Sequence, residues 1–177
     1  MRLFRNATCC KINGEVKDLR TVIDTDASLE ILTFDDEDGR KAFNHTASHI
    51  MAQAVKRLYP EAKLTIGPAI DNGFDYDFDV EKSFSPEALT KIEAEMKKIV
   101  KENLPIERFE LPRAEAIKFM EEKGEPYKVE LINDLPEDAV ISFYKQGEFT
   151  DLCAGPHLMS TKPIKAFKIT NEAGSSG

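Results

Sequence analysis

Read for the spacing of its apolar residues, the chain divides into short strand-like runs and a few long helical ones. "CCKINGEVKDL" carries two short runs on either side of Asn13-Gly14, a dipeptide that accepts positive φ and closes a tight hairpin, and "SLEILTF" predicts a third strand. Residues 8 to 34 therefore predict a small all-β piece. The acids of "DDEDGR" stand ahead of a helical pattern, where they favour its N-terminus, and Pro60 ends that pattern after Tyr59, predicting one helix from Gly39 to Leu58. "KLTIGPAI" and "FDYDFDV" flank Asp71-Asn72-Gly73 and predict two strands joined by a tight turn. Ser85 as N-cap and Pro86 in the first helical position open a helix through "EALTKIEAEMKKIVKEN". After the strand "IERFEL", the segment "RAEAIKFMEEKG" predicts a helix stopped by Gly124. "AVISFYKQ", "EFTDLC" and "IKAFKI" predict the last strands, joined by Gly147 and by a Gly155-Pro156 loop. A β piece followed by strands and helices without regular alternation predicts the α+β class with mostly antiparallel pairing.

Composition narrows the class of protein. With 177 residues, 41% of them hydrophobic, the chain has material for one core and a small annex. No apolar run reaches the roughly 18 residues that a membrane span needs, and "MRLFRNATCCKING" lacks the apolar centre of a signal peptide, so a cytoplasmic chain with no membrane partner is expected. Three cysteines are too few for a disulfide framework, and Cys9 and Cys10 read as strand residues without chemistry. A net charge of −8 argues against indiscriminate nucleic-acid binding but leaves room for a specific RNA on a local patch. The terminal "AGSSG", residues 174 to 177 above all, reads as a linker or a cut.

The chemistry concentrates on the three histidines. At about 100° per residue Ala47, Ile50, Met51, Ala54, Val55 and Leu58 share one arc, while His45 and His49 lie together off that stripe beside Ala42, Ala52 and Gln53. An HxxxH pair on a helix resembles a metalloprotease helix, but Thr46, Ala47 and Ser48 stand between the rings where that chemistry needs a glutamate. "DLCAGPH" adds a second pair, Cys153 and His157, four apart in a loop after a strand. Three imidazoles and a thiolate make a complete tetrahedral zinc set. The same groups could equally surround a water and a polar substrate as acid, base and hydrogen-bond donors.

With these pairs, "HTASHIMAQAVKRLYP", "LTIGPAIDNGF", "GEPYK" and "DLCAGPH" make the chain resemble the N-terminal region of threonyl-tRNA synthetases, from about residue 10 to about residue 173. Related editing domains occur in alanyl-tRNA synthetases and free-standing alanyl-tRNA deacylases. The resemblance implies a partial β-grasp (TGS-like) piece over residues 1 to 36 and an aminoacyl-tRNA editing domain over residues 37 to 173. It implies hydrolysis of serine mischarged on threonine tRNA, with His45, His49, Lys128, Asp151, Cys153 and His157 in the catalytic cleft and Tyr76 against the substrate. Zinc on His45, His49, Cys153 and His157 is the alternative to a site that needs no cofactor. The implied partners are the aminoacylated 3′ end of tRNA and the remaining synthetase domains, without which this chain is expected not to ligate threonine to tRNA. Asn44 and Asp75 stand where the family pattern has aromatic residues, and "AGSSG" replaces its aromatic-rich continuation. Two other readings predict different behaviour: a non-catalytic RNA-binding module, as when similar domains are fused to nucleoside kinases, or a zinc-stabilised structural domain.

Overall fold

The computed structural model of the chain describes residues 7–65, 78, 79 and 85–164. Strand β1 (Ala7–Ile12) turns through Asn13 and Gly14, at φ 51° and 84°, into β2 (Glu15–Lys17), and β3 (Leu29–Thr33) pairs with the other edge of β1. Helix α1 (Glu37–Leu58) follows. It starts two residues earlier than the pattern predicted, because Glu37 and Asp38 sit inside its first turn, where carboxylates meet unpaired backbone N–H groups. A Cβ on Gly39 would lie 1.9 Å from the Thr33 carbonyl oxygen, so only glycine lets the helix start this close to β3. Ala42 then packs on Cys9 and Leu32, and the first turns of α1 cover the small sheet.

Both faces of α1 are buried. On one, Ala47, Ile50, Ala54 and Val55 pack against Ile92, Met96 and Ile99 of α2 (Pro86–Glu102), which follows a short antiparallel pair, β4 (Lys63–Leu64) with β5 (Phe78–Asp79). Ser85 caps α2 by accepting from the Ala88 N–H at 3.1 Å, with Pro86 behind it. The other face, holding Ala42, His49, Ala52 and Gln53, is equally buried. Its small side chains carry little apolar signal in the sequence but allow close approach of a sheet.

That sheet is β6 (Ile106–Glu110), β7 (Ser142–Gln146) and β8 (Phe149–Leu152), antiparallel in the order β6-β7-β8. Its far side packs on α3 (Arg113–Glu122) and α4 (Pro126–Asp134), with Phe143 and Leu152 against Ala116, Met120 and Ile132. Period-two alternation sends Tyr144 and Gln146 the opposite way, toward α1. There Gln146 and Gln53 bind each other: Gln146 Nε2 donates to Gln53 Oε1 at 2.8 Å and Gln53 Nε2 to the Gln146 carbonyl at 3.2 Å. All described pairings are antiparallel, and the fold is α+β.

Two predicted strands need correction. β7 begins at Ser142 and not at Ala139, because the Ala139 N–H closes a turn onto the Pro136 carbonyl. Ile164 does not open a strand; its N–H bonds back to the Thr161 carbonyl, and the remainder of "IKAFKI" lies outside the described residues. So do Asp71-Asn72-Gly73, Asp75, Tyr76 and the terminal "AGSSG". Among the described residues, no helix is long and apolar enough to cross a membrane.

Candidate active site

Three elements meet at the second face of α1. The helix supplies His45, Thr46 and His49; β8 supplies Asp151, which stands beside Tyr144 of β7; and the loop after β8 carries Cys153, Gly155, Pro156 and His157 back across the helix. The rings of His49 and His157 lie 4.5 Å apart between centroids and those of His45 and His157 5.9 Å. The two sequence pairs, HxxxH and CxxxH, thus form one cluster.

Hydrogen bonds fix which ring nitrogens carry protons. His45 Nδ1 lies 3.3 Å from the Pro156 carbonyl, which can only accept, so Nδ1 donates and Nε2 keeps its lone pair. Thr46 Oγ1 donates to the Ala42 carbonyl at 3.1 Å and accepts from the Leu158 N–H at 2.9 Å. Its proton is committed, so His157 Nδ1, 3.4 Å away, is the donor in that contact. His157 Nε2 is then an acceptor facing Cys153 Sγ at 3.2 Å. Burial pushes the Cys153 thiol up to about 11, so it is protonated and donates to that nitrogen. Of the two rings, His45 is the one whose Nε2 meets no hydrogen-bond donor among the described residues.

Burial dominates the electrostatics. It pulls all three imidazoles below their ordinary range: His49 to about 4, against the attraction of Asp151, His157 well below that range with help from His49 and His45, and His45 in the same direction against the Pro156 carbonyl. At neutral pH the rings are uncharged. The charges are supplied by a buried pair, Lys128 Nζ at 3.3 Å from Asp151 Oδ1, whose side chains are 2% and 1% exposed. Asp151 Oδ1 also accepts from the Leu152 N–H at 2.8 Å, and His49 Nε2 stands 3.4 Å from Oδ2. An isolated lysine on a short helix would ordinarily be solvated; this one lies with its ammonium against a carboxylate in the interior.

Zinc can be tested against the donors themselves. His45, Cys153 and His157 offer ligand atoms all within 4.8 Å of one another, which suits three protein ligands and an open position. The four-ligand set read from the sequence is not gathered in this way, because His49 turns its Nε2 to Asp151.

The sequence pattern did not indicate several residues that shape this cluster. Asp18, in the loop after β2, accepts from the His157 N–H at 2.8 Å, from Tyr144 Oη at 2.5 Å and from Arg20 Nη1 at 2.6 Å. Tyr144 stacks on the His157 ring at 4.0 Å. Neither residue belongs to a motif, and only the folded contact, 139 positions apart along the chain for Asp18 and His157, exposes the link.

The family described as "Threonyl and Alanyl tRNA synthetase second additional domain" matches residues 141–177, beginning just ahead of β7. The threonine–tRNA ligase of Clostridium tetani is 69% identical over 173 residues, 98% of this chain and 27% of that protein. Those of Acetivibrio thermocellus and Clostridium acetobutylicum are 67% and 66% identical, with the same coverage. The chain spans about a quarter of the length of the curated relatives it matches. Along 98% of its own length the chain matches a stretch of the threonine–tRNA ligases, and its residues 141–177 match the second additional domain of the threonyl and alanyl synthetases.

Proposed function

We propose that this chain edits aminoacyl-tRNA, hydrolysing the ester that joins serine to the terminal ribose of threonine tRNA. The observation that carries the reading is His45: half-buried, neutral, with an Nε2 lone pair left by the Nδ1 hydrogen bond, and with a ring nitrogen within 4.8 Å of ligand atoms of His157 and Cys153. A water hydrogen-bonded to that nitrogen loses its proton to it while the water oxygen attacks the ester carbonyl. Collapse of the tetrahedral adduct breaks the bond to the ribose oxygen, which takes the proton back from His45. In this reading the Lys128 ammonium, paired with Asp151 at 3.3 Å, offsets the charge of the oxyanion, and the Asp151 carboxylate receives the substrate's ammonium group. The two share one buried ion pair, so the site presents a dipole to the zwitterionic adduct. Tyr76 is the proposed contact for the aminoacyl end, and a hydroxyl of the terminal ribose can assist in placing the water.

The logic of such a site is discrimination by a second sieve. A pocket built for threonine cannot strongly exclude serine, which is smaller and keeps the hydroxyl, so the error is removed afterwards. The partners proposed are the charged 3′ end of tRNA and the other synthetase domains. Hydrolysis is proposed to need no metal. If zinc binds, His45, Cys153 and His157 would hold it, and it would supply Lewis-acid polarisation.

Release of serine and of threonine from separately charged threonine tRNA tests the reading. Faster loss of serine is expected; loss of both at the rate without protein would refute it.

A further inference from the structure

The peptide unit joining Pro156 to His157 is gripped at both ends. Its carbonyl accepts from His45 Nδ1 at 3.3 Å, and its N–H donates to Asp18 Oδ1 at 2.8 Å. We propose that Asp18, delivered from the N-terminal β piece, is a positioning residue that acts on His45 through this peptide and keeps the ring in its Nδ1–H form with Nε2 directed at the substrate. The inference rests on the editing reading only for its kinetic consequence; the geometry of the relay stands apart from it.

The carboxylate is built in, not incidental. Asp18 is 6% exposed and receives three donors: the His157 N–H, Tyr144 Oη and Arg20 Nη1. Arg20 is held in turn by the carbonyls of Ile106 and Leu158, at 2.8 and 3.0 Å, so the loop after β2 is fastened to the start of β6 and to the residue after His157. Gly155 completes the fit, since a Cβ there would stand 2.0 Å from Tyr144 Oη. An amide whose N–H binds an anion becomes a stronger acceptor at its carbonyl, because hydrogen bonds in a chain polarise one another. The arrangement does through one interposed peptide what a directly bonded carboxylate does for a catalytic imidazole: it selects tautomer and orientation. It serves equally if Nε2 takes a proton or a metal ion, for which a backbone carbonyl is a common partner of the other ring nitrogen.

The test is Asp18→Asn in the whole chain, read by nitrogen NMR of the histidines at fixed neutral pH and by single-turnover deacylation. In the wild type His45 is expected as the Nδ1–H tautomer, with the His157 amide proton shifted downfield and slow to exchange. Asp18→Asn should give a mixture of His45 tautomers and lower kcat by about tenfold with KM little changed, well short of the ~10⁴-fold loss when a directly bonded carboxylate is replaced. Tyr144→Phe, which removes one donor to Asp18 and keeps the stacked ring, should shift the spectrum the same way by less. An unaltered His45 tautomer in Asp18→Asn, or a rapidly exchanging His157 amide in the wild type, would overturn the proposal. The wild-type amide decides the matter if Asp18→Asn does not fold. Absence of deacylation by the wild type would count against the editing reading, while the NMR arm would still decide the relay.

Discussion

Replacing Lys128 by Met should destabilise the chain far more than a surface lysine substitution would. The methionine fits the stem of the lysine but removes the ammonium 3.3 Å from Asp151 Oδ1, leaving a carboxylate that is 1% exposed without that cation, beside the Leu152 N–H at 2.8 Å and His49 Nε2 at 3.4 Å. At an effective dielectric constant near 20 the lost attraction is about 5 kcal/mol. Relief from burying the lysine charge returns part of it, and breaking one side of a buried pair typically costs about 3–5 kcal/mol net. For a chain of this size that lowers Tm by roughly 10 °C. Asp151→Asn in the Lys128→Met background should recover most of the loss, since neither charge then remains buried alone. Thermal melts of the two single variants and the double variant give the coupling. A Lys128→Met midpoint within about 2 °C of wild type would refute the buried-pair account.

Gly155→Ala should cost about 2–3 kcal/mol, because φ is +77° and the new Cβ would meet Tyr144 Oη at 2.0 Å; a wild-type urea midpoint would contradict this. The His49 imidazole is held down to about 4 in the folded chain against 6.5 when exposed, so between those values the unfolded state binds the extra proton and stability falls as pH falls. The loss approaches about 3 kcal/mol by the bottom of the window, and the pH dependence of melting should be visibly flatter in His49→Gln; identical slopes would refute it. Ser85→Ala removes the cap on the Ala88 N–H and should cost about 1 kcal/mol in chemical denaturation, with no effect on deacylation.

Local chemistry was the legible part of this chain. Asn13-Gly14 set a hairpin, Ser85-Pro86 opened a helix and Gly124, at φ 71°, ended one, because each depends on a few adjacent residues. The spacing of the two pairs was enough to join His45, His49, Cys153 and His157 into one candidate cluster. What stayed hidden was long-range burial. The second face of α1 has Ala42, His49, Ala52 and Gln53, too polar and too small to register as a core stripe, yet it carries the sheet and the cluster. Without the family resemblance Lys128 reads as a solvated side chain, and its burial against Asp151, 23 positions later, shows only in the fold. Asp18 gives no signal at all, because the two donors that tie it to the cluster, the His157 N–H and Tyr144 Oη, belong to the far end of the chain.

His45→Asn puts the editing reading to its most direct test. The asparagine amide can still donate to the Pro156 carbonyl, as Nδ1 does at 3.3 Å, while the basic Nε2 is lost. With serine-charged threonine tRNA in single turnover, the wild-type chain should release serine faster than it releases threonine, and the variant should be slower by about 10²–10⁴-fold with its melting temperature unchanged. Equal serine release by wild type and His45→Asn would contradict the account.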